Sequence, residues 1–248
     1  MRATFTIAFI VGLAPALALG LTPEEIVQKM DETMTFNTRV GEASLTVERA
    51  GAAPDTRSLK IWGRGWDDSY SVFQSPARDK GIKYLKLQKS LYMYLPRTEK
   101  VVTISGHLLR QSIMDSDFSY EDMLESRALL ADYDVKLVGD DTFAGDKCWV
   151  LDLTAKREGV SYYRRKIWVS QKTFVPLKVE RYAESGLLLK VLTYEKIVAF
   201  GARNFPTRMV MQDQLRKGSR SVFQLDNLQF DVAVPDALFS RRNLMKQD

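Results

Sequence analysis

From Ser44 onward the chain is built of short segments in which apolar and polar residues alternate, rich in β-branched and aromatic side chains and closed by turn-forming residues. SLTVERA, SLKIWGR, SYSVFQS, IKYLKLQ and LYMYLP are separated by GAAPD, GWDD, SPARDKG and PRTEK. The habit resumes with DYDVKLVGD, KCWVLDLTAK, YYRRKIWVSQ, VPLKVERYA, LLKVLTYEKIV, FPTRMVMQDQL and RSVFQLDNLQF. Gly145-Asp146, Glu158-Gly159, Ser185-Gly186 and Lys217-Gly218 punctuate this second run as hairpin turns. Connections this short impose sequential antiparallel pairing. About eleven or twelve strands exceed what a flat twisted sheet holds comfortably, so the sheet is expected to curl. The fold expected is mainly β with helices (α+β): one large curved antiparallel sheet and a few helices to cover it.

The chain ends bound the rest. MRATFTIAFIVGLAPALALG carries one charge, Arg2, then an apolar run interrupted by Pro15, then small residues. This pattern is a secretory signal peptide over residues 1–20, cleaved after Ala18 or Gly20. The run is shorter than the ~20 residues a membrane span needs. Leu19 or Leu21, not a cysteine, stands directly after the cleavage positions, which argues against a lipid anchor. Residues 21–248 are then expected as one exported, soluble domain, with no low-complexity linker to divide them. Its start, LTPEEIVQKMDETM, reads as a helix: Thr22 as N-cap, Pro23 at the first helical position, Glu25 closing a capping box. Ile26, Met30 and Met34 recur on one face.

Charge and side-chain inventory exclude several functions. The net charge of +5 falls to +4 without Arg2, with both signs interspersed, which is no nucleic-acid footprint. Arg164-Arg165-Lys166 and Arg241-Arg242 read as solvated strand and tail faces. Cys148 has no cysteine to pair with, and His107 is the one histidine. A histidine-rich zinc site is therefore ruled out, and a Ser-His-Asp triad has only His107 and no G-x-S-x-G elbow. No phosphate- or dinucleotide-binding glycine motif occurs. No metal, cofactor or catalytic residue is assigned.

The densest acidic stretch is DSDFSYEDM, residues 115–123. It lacks the glycine and closing glutamate of a calcium loop. Spacing alone leaves a glycosidase-like carboxylate pair open. Ser119 followed by Asp122 is also capping-box spacing, so FSYEDMLES reads as a short helix with acids in its first turn. That accounts for the carboxylates and leaves Phe118 and Tyr120 unexplained.

TPEEIVQKM, SLKIWGRG, SYSVFQSP, IKYLKLQKSLYMYLPRTEKV, SDFSYEDM and PDALFSRRNL, taken in order, resemble the outer-membrane lipoprotein-sorting family. These are the LolA-like periplasmic carriers, and the likeness is to the branch with a YLP…SDFSYED signature. The resemblance runs over roughly residues 21–245. It implies an incomplete antiparallel barrel closed by short helices as a lid, around a cavity for acyl chains of lipoproteins or other lipids. It places DSDFSYEDM at the lid or mouth, with Phe118 and Tyr120 facing the cavity and the acids wet.

Alternation independently assigns an interior face. Trp149, Leu151 and Leu153 share one side of a strand, Trp62 and Trp66 share parity, as do Met93 with Leu95 and Met209 with Met211. A Met- and Trp-rich interior suits flexible chains; a filled core is the other reading of each residue. The function expected is a non-enzymatic periplasmic carrier, monomeric, taking lipid or lipoprotein acyl chains toward the outer membrane. An inner-membrane transporter and an outer-membrane acceptor would be its partners. Two alternatives stay open: a non-catalytic adaptor of a resistance-nodulation-type (RND) transport complex, and an envelope hydrolase using paired carboxylates.

Overall fold

The computed structural model describes residues 20–124 and 129–246. The expected export signal lies outside these but for Gly20, as do Glu125 and Ser126 of FSYEDMLES. Helix α1 (Pro23–Met34) is followed by strands β1 (Thr38–Arg49), β2 (Asp55–Arg64), β3 (Asp68–Ser75), β4 (Lys83–Leu87), β5 (Ser90–Leu95) and β6 (Lys100–Ile104). A crossing segment, residues 105–132, carries α2 (Tyr120–Leu124) and α3 (Leu129–Asp132). Then come β7 (Tyr133–Phe143), β8 (Asp146–Ala155), β9 (Arg164–Ser170), β10 (Pro176–Tyr182), β11 (Leu188–Phe200), β12 (Arg203–Asp213), β13 (Ser219–Phe230) and the short α4 (Arg241–Leu244).

All thirteen strands join one antiparallel sheet in the order β6-β5-β4-β3-β2-β1-β13-β12-β11-β10-β9-β8-β7. It is two meanders joined at the centre, where the first strand pairs with the last. The sheet is curved and does not close into a barrel. Its two edges, β6 and β7, are consecutive in the chain, so residues 105–132 pass from one edge to the other. The lid is thus the one connection that cannot be a hairpin. β6 (KVVTI) is the strand beyond those read from the sequence; five residues are too few for alternation to register. β1 also begins earlier than its pattern suggested. Its register shifts between Val40 and Glu42, and a side chain on the intervening Gly41 would meet the Asp226 carbonyl oxygen at 3.1 Å. A side chain there would push the two central strands apart by a few tenths of an ångström, so glycine suits their close approach.

Helix α1 forms as its punctuation dictates. The Thr22 side chain accepts from the Glu25 N–H, and the Glu25 carboxylate accepts from the Thr22 N–H at 2.7 Å. Its apolar stripe, Ile26, Val27, Met30 and Met34, is buried. Ile26, Val27 and Met30 pack on Leu151, Leu153, Ile167, Val169 and Met211 of the second meander's concave face. Each such side chain contributes about 1.5–3 kcal/mol by leaving water. The opposite face of the first meander is covered by the C-terminal segment, where Phe239 and Leu244 pack on Tyr70, Val72, Leu85 and Tyr94. No helix among the described residues is long and apolar enough to cross a membrane.

Candidate functional site: an apolar cavity with a charged end

Between the concave face, α1 and the crossing segment lies a cavity of about 320 Å³, within the usual size of small-ligand sites. Its apolar wall comes from Leu45, Leu59, Ile61 and Phe73 on one meander and Phe205, Met209, Met211 and Phe223 on the other. Met30 and Met34 of α1, with Phe118 and Met123 of the crossing segment, close it. Arg165, Arg181 and Asp122 belong to the same wall.

DSDFSYEDM holds the lid by two polar anchors, with the aromatics between and beyond them. Asp117, 2% exposed, accepts from the hydroxyls of Ser221 (2.5 Å) and Ser219 (3.0 Å) and from the Asp213 N–H (3.2 Å). Phe118 then turns toward the cavity, its ring edge-on to Phe223 at 6.4 Å. Tyr120 reaches the other meander, its hydroxyl 3.2 Å from that of Tyr84 and 3.9 Å from the Met93 sulfur. Asp122 is the second anchor and accepts five bonds. One oxygen takes Tyr162 Oη (2.6 Å) and Arg181 Nη1 (2.8 Å); the other takes Lys190 Nζ (2.6 Å) and the Ser119 N–H (2.7 Å) and hydroxyl (2.8 Å). The expectation that these acids stay wet is corrected for Asp117 and Asp122. Half of the capping box forms: Asp122 accepts from the Ser119 N–H, while the Ser119 hydroxyl accepts from Lys190 at 2.9 Å.

The electrostatics follow from that geometry. Burial alone pushes the Asp122 carboxyl up, but Arg181 and then Lys190 outweigh it and hold the group down at about 2. Burial above all raises the Tyr162 phenol, which keeps its proton and donates it. Glu121 next door is raised, by burial first and then by Asp122. For Arg165, burial and then the neighbouring Arg181 lower the guanidinium to about 9; it stays charged at neutral pH. A depressed carboxyl stabilises the fold above its unfolded value of about 3.9 and loses that contribution as pH falls through its folded value. The α2 anchor is therefore expected to weaken between about pH 4 and pH 2, costing about 2 kcal/mol. Hydrogen exchange at residues 119–124 across that window checks this. Asp122→Asn should flatten the pH response.

Four of the residues selected from the sequence turn into the cavity: Trp66, Phe118, Met209 and Met211. Trp62 borders it from β2, but its indole is on the opposite face of the sheet, against Tyr70 at 5.6 Å under the C-terminal segment, so the shared face expected for Trp62 and Trp66 is corrected. The other six lie outside the wall. Leu151 and Leu153 are fully buried beneath α1, and Trp149 packs on Phe174 at 5.3 Å. Met93 and Tyr120 pack together in the core beside the cavity, and Leu95 ends β5 opposite Lys100. Alternation assigns a residue to a face, but only tertiary packing decides whether a helix already fills the space above it. Missed altogether were Arg165, Arg181, Lys190 and Tyr162. Arg165 was taken as part of a solvated basic run. Instead Arg164 turns outward, where it pairs with Asp152 at 2.7 Å, and Arg165 turns inward, 6% exposed. Its signal was parity with Ile167 and Val169. Among the described residues no group of His, Cys, Asp and Glu could hold a metal.

Solved structures share this architecture. A DUF1329 family protein from Desulfovibrio piger is 29% identical, covering 88% of this chain and 96% of its own, with a TM-score of 0.81. A LolA superfamily protein from Nitrosomonas europaea is 25% identical over 90% of this chain and 100% of its own, TM-score 0.73. An outer membrane lipoprotein-sorting protein domain from Vibrio parahaemolyticus, 21% identical over 90% of this chain and 97% of its own, shares the fold with a TM-score of 0.80. No curated protein matches the sequence. A family model described as "Uncharacterized protein" matches residues 65–246, most of the chain. The chain belongs to that family, and it shares the fold of the LolA superfamily protein and of the DUF1329 family protein.

Proposed function

We propose that this protein is a carrier that encloses the long apolar chain of a lipid or lipoprotein and releases it by movement of the 105–132 segment. The observation that carries the reading is the cavity of about 320 Å³ walled by methionine and aromatic side chains, under a lid whose Phe118 faces inward. Such a wall binds by exclusion of water, at about 0.8 kcal/mol per methylene, and adapts to flexible chains. The lid has no covalent role; its two polar anchors hold it and Phe118 contributes its apolar side. In this reading residues 1–20 direct export, residues 21–248 work as one unit in the periplasm, and hand-off is toward the outer membrane. Likeness to a LolA superfamily protein and to a lipoprotein-sorting domain supports a carrier role.

The adaptor reading requires a filled interior, which the cavity argues against. The hydrolase reading requires a free carboxylate beside one that carries a proton. Glu121 is raised, but Asp122 next to it is engaged by Arg181, Lys190, Tyr162 and Ser119 and is not free to act on a substrate.

Titration with a neutral apolar fluorophore, N-phenyl-1-naphthylamine, tests the proposal. Saturable uptake of about one probe per chain is expected, displaced by long-chain lipid. Phe118→Ala should weaken uptake about tenfold, the equivalent of about 1.4 kcal/mol, with the fold intact. Absence of saturable uptake by the folded wild type contradicts the carrier.

A further inference from the structure

Three hairpin turns meet at one end of the sheet centre. The Gln214 N–H donates to the Leu189 carbonyl at 2.8 Å, which sets the β12–β13 turn beside the β10–β11 turn. The Ala50 N–H donates to the Gly218 carbonyl at 2.9 Å, which sets it beside the β1–β2 turn. The first two turns each lift a leucine into water: Leu215 is 65% exposed and Leu187 54%. A single exposed leucine is ordinary, but Leu215 stands in a surface groove lined with cations, the exposed Arg49, Arg216, Lys217 and Arg220. The acids of that groove are already engaged. Glu48 accepts from Arg220 at 2.9 Å, and Asp213 accepts from the Leu215 N–H at 2.9 Å and so holds the turn. Leu187 has exposed Glu184 in its own turn, so the positive side is that of β12–β13.

Two of these cations clamp the lid. Arg49 Nη2 (2.8 Å) and Arg216 Nη1 (3.3 Å) both donate to the Asp115 carbonyl, and Arg216 also donates to the Ser116 carbonyl at 3.2 Å. The backbone they hold is in an uncommon form. Met114 and Asp115 follow one another in the left-handed region, at φ 50° and 62°, a conformation that persists only while its surroundings impose it. A neutral carbonyl is a weaker partner for a guanidinium than a phosphate, which takes two parallel charge-assisted bonds. Dense phosphates and a place for exposed leucines to leave water occur together at the surface of an anionic bilayer.

We propose that the β12–β13 and β10–β11 turns dock on an anionic lipid bilayer, and that docking withdraws Arg49 and Arg216 from the lid backbone. Leu215 and Leu187 enter the interface, while Arg49, Arg216, Lys217 and Arg220 take lipid phosphates. The docking surface goes beyond the carrier reading and uses none of the cavity residues. Its consequence rests on that reading: the lid loosens where an apolar chain can pass to or from a membrane.

Partition of the full chain onto two kinds of vesicle tests the surface: phosphatidylcholine alone, and phosphatidylcholine with about one-third phosphatidylglycerol. The anionic vesicles should bind at least about tenfold tighter. Lys217→Gln should lower that binding about fivefold and Leu215→Asp about tenfold. Lys147→Gln, in the β7–β8 hairpin at the opposite end of the sheet, should leave it unchanged. Uptake of N-phenyl-1-naphthylamine in solution should be the same in all three variants, so a failure of docking and a failure of carriage are read separately. The amides of Ile113, Ser116 and Asp117 are hydrogen-bonded in the closed lid. Their hydrogen exchange should speed up at least about fivefold on anionic vesicles, and should not respond to inorganic phosphate at the same phosphate concentration. Arg216→Gln should speed it in solution, without vesicles. Equal binding to the two vesicles, full binding by Leu215→Asp, a loss in Lys147→Gln equal to that in Lys217→Gln, or unchanged exchange in the vesicle-bound chain each overturns the inference. Failure of the wild type to take up the neutral probe instead overturns the carrier reading.

Discussion

Asp122→Ala is expected to destabilise the protein by about 3–5 kcal/mol, the usual cost of removing one partner from a buried ion pair. The side chains of Asp122, Arg181 and Lys190 are 5%, 4% and 10% exposed, so water cannot take the place of the lost carboxylate. The Ser119 N–H and hydroxyl and the Tyr162 hydroxyl lose their acceptor at the same time. Denaturant unfolding measures the loss, and hydrogen exchange should place the first opening at residues 119–124. A triple variant, Asp122→Leu with Arg181→Met and Lys190→Met, removes the charges together and should recover most of the stability. A loss below about 1 kcal/mol, the level of an exposed ion pair, would mean that Asp122 does not hold the lid.

The second large effect separates filled core from cavity on one concave face. Leu151 is fully buried beneath α1 and outside the cavity wall, whereas Met209 lines the cavity. Leu151→Ala should cost about 2–5 kcal/mol, transfer and void together, and leave probe affinity of the folded fraction unchanged. Met209→Trp should do the reverse: a small change in midpoint, because the added volume enters empty space, and most probe uptake lost. If Met209→Trp were destabilised by the ~1–3 kcal/mol typical of an overpacked core, the space above Met209 would be filled rather than open. Thermal or denaturant midpoints, read beside probe titrations, decide between the two.

What the sequence disclosed, and what it hid, divides along the range of the interactions. Helix α1 was legible to the residue, because Thr22, Pro23 and Glu25 act within one turn and Ile26, Met30 and Met34 repeat at helical spacing. The meanders were legible because hairpins are local. The central pairing of β1 with β13 was not, since no local signal joins Glu42 to Asp226. The lid was visible as an acidic stretch, and its chemistry was misjudged. Asp117 and Asp122 look solvated in a string of charges, and only the sheet supplies the serines and cations that bury them. Arg165 was hidden by its neighbours: Arg164 and Lys166 point outward, and a run of three charges conceals that its middle member alternates with Ile167 and Val169. That Arg165, Arg181 and Lys190 stand side by side needed registers across three strands, which composition cannot supply.

The central claim, that this protein carries a lipid, is tested most directly by mass spectrometry of an organic extract from protein purified without detergent or denaturant. A long-chain lipid close to one per chain is the predicted result. Its amount should fall in Phe118→Ala and Met209→Trp. A wild-type preparation that yields no lipid, and takes none up when incubated with vesicles of total envelope lipid, would contradict the account.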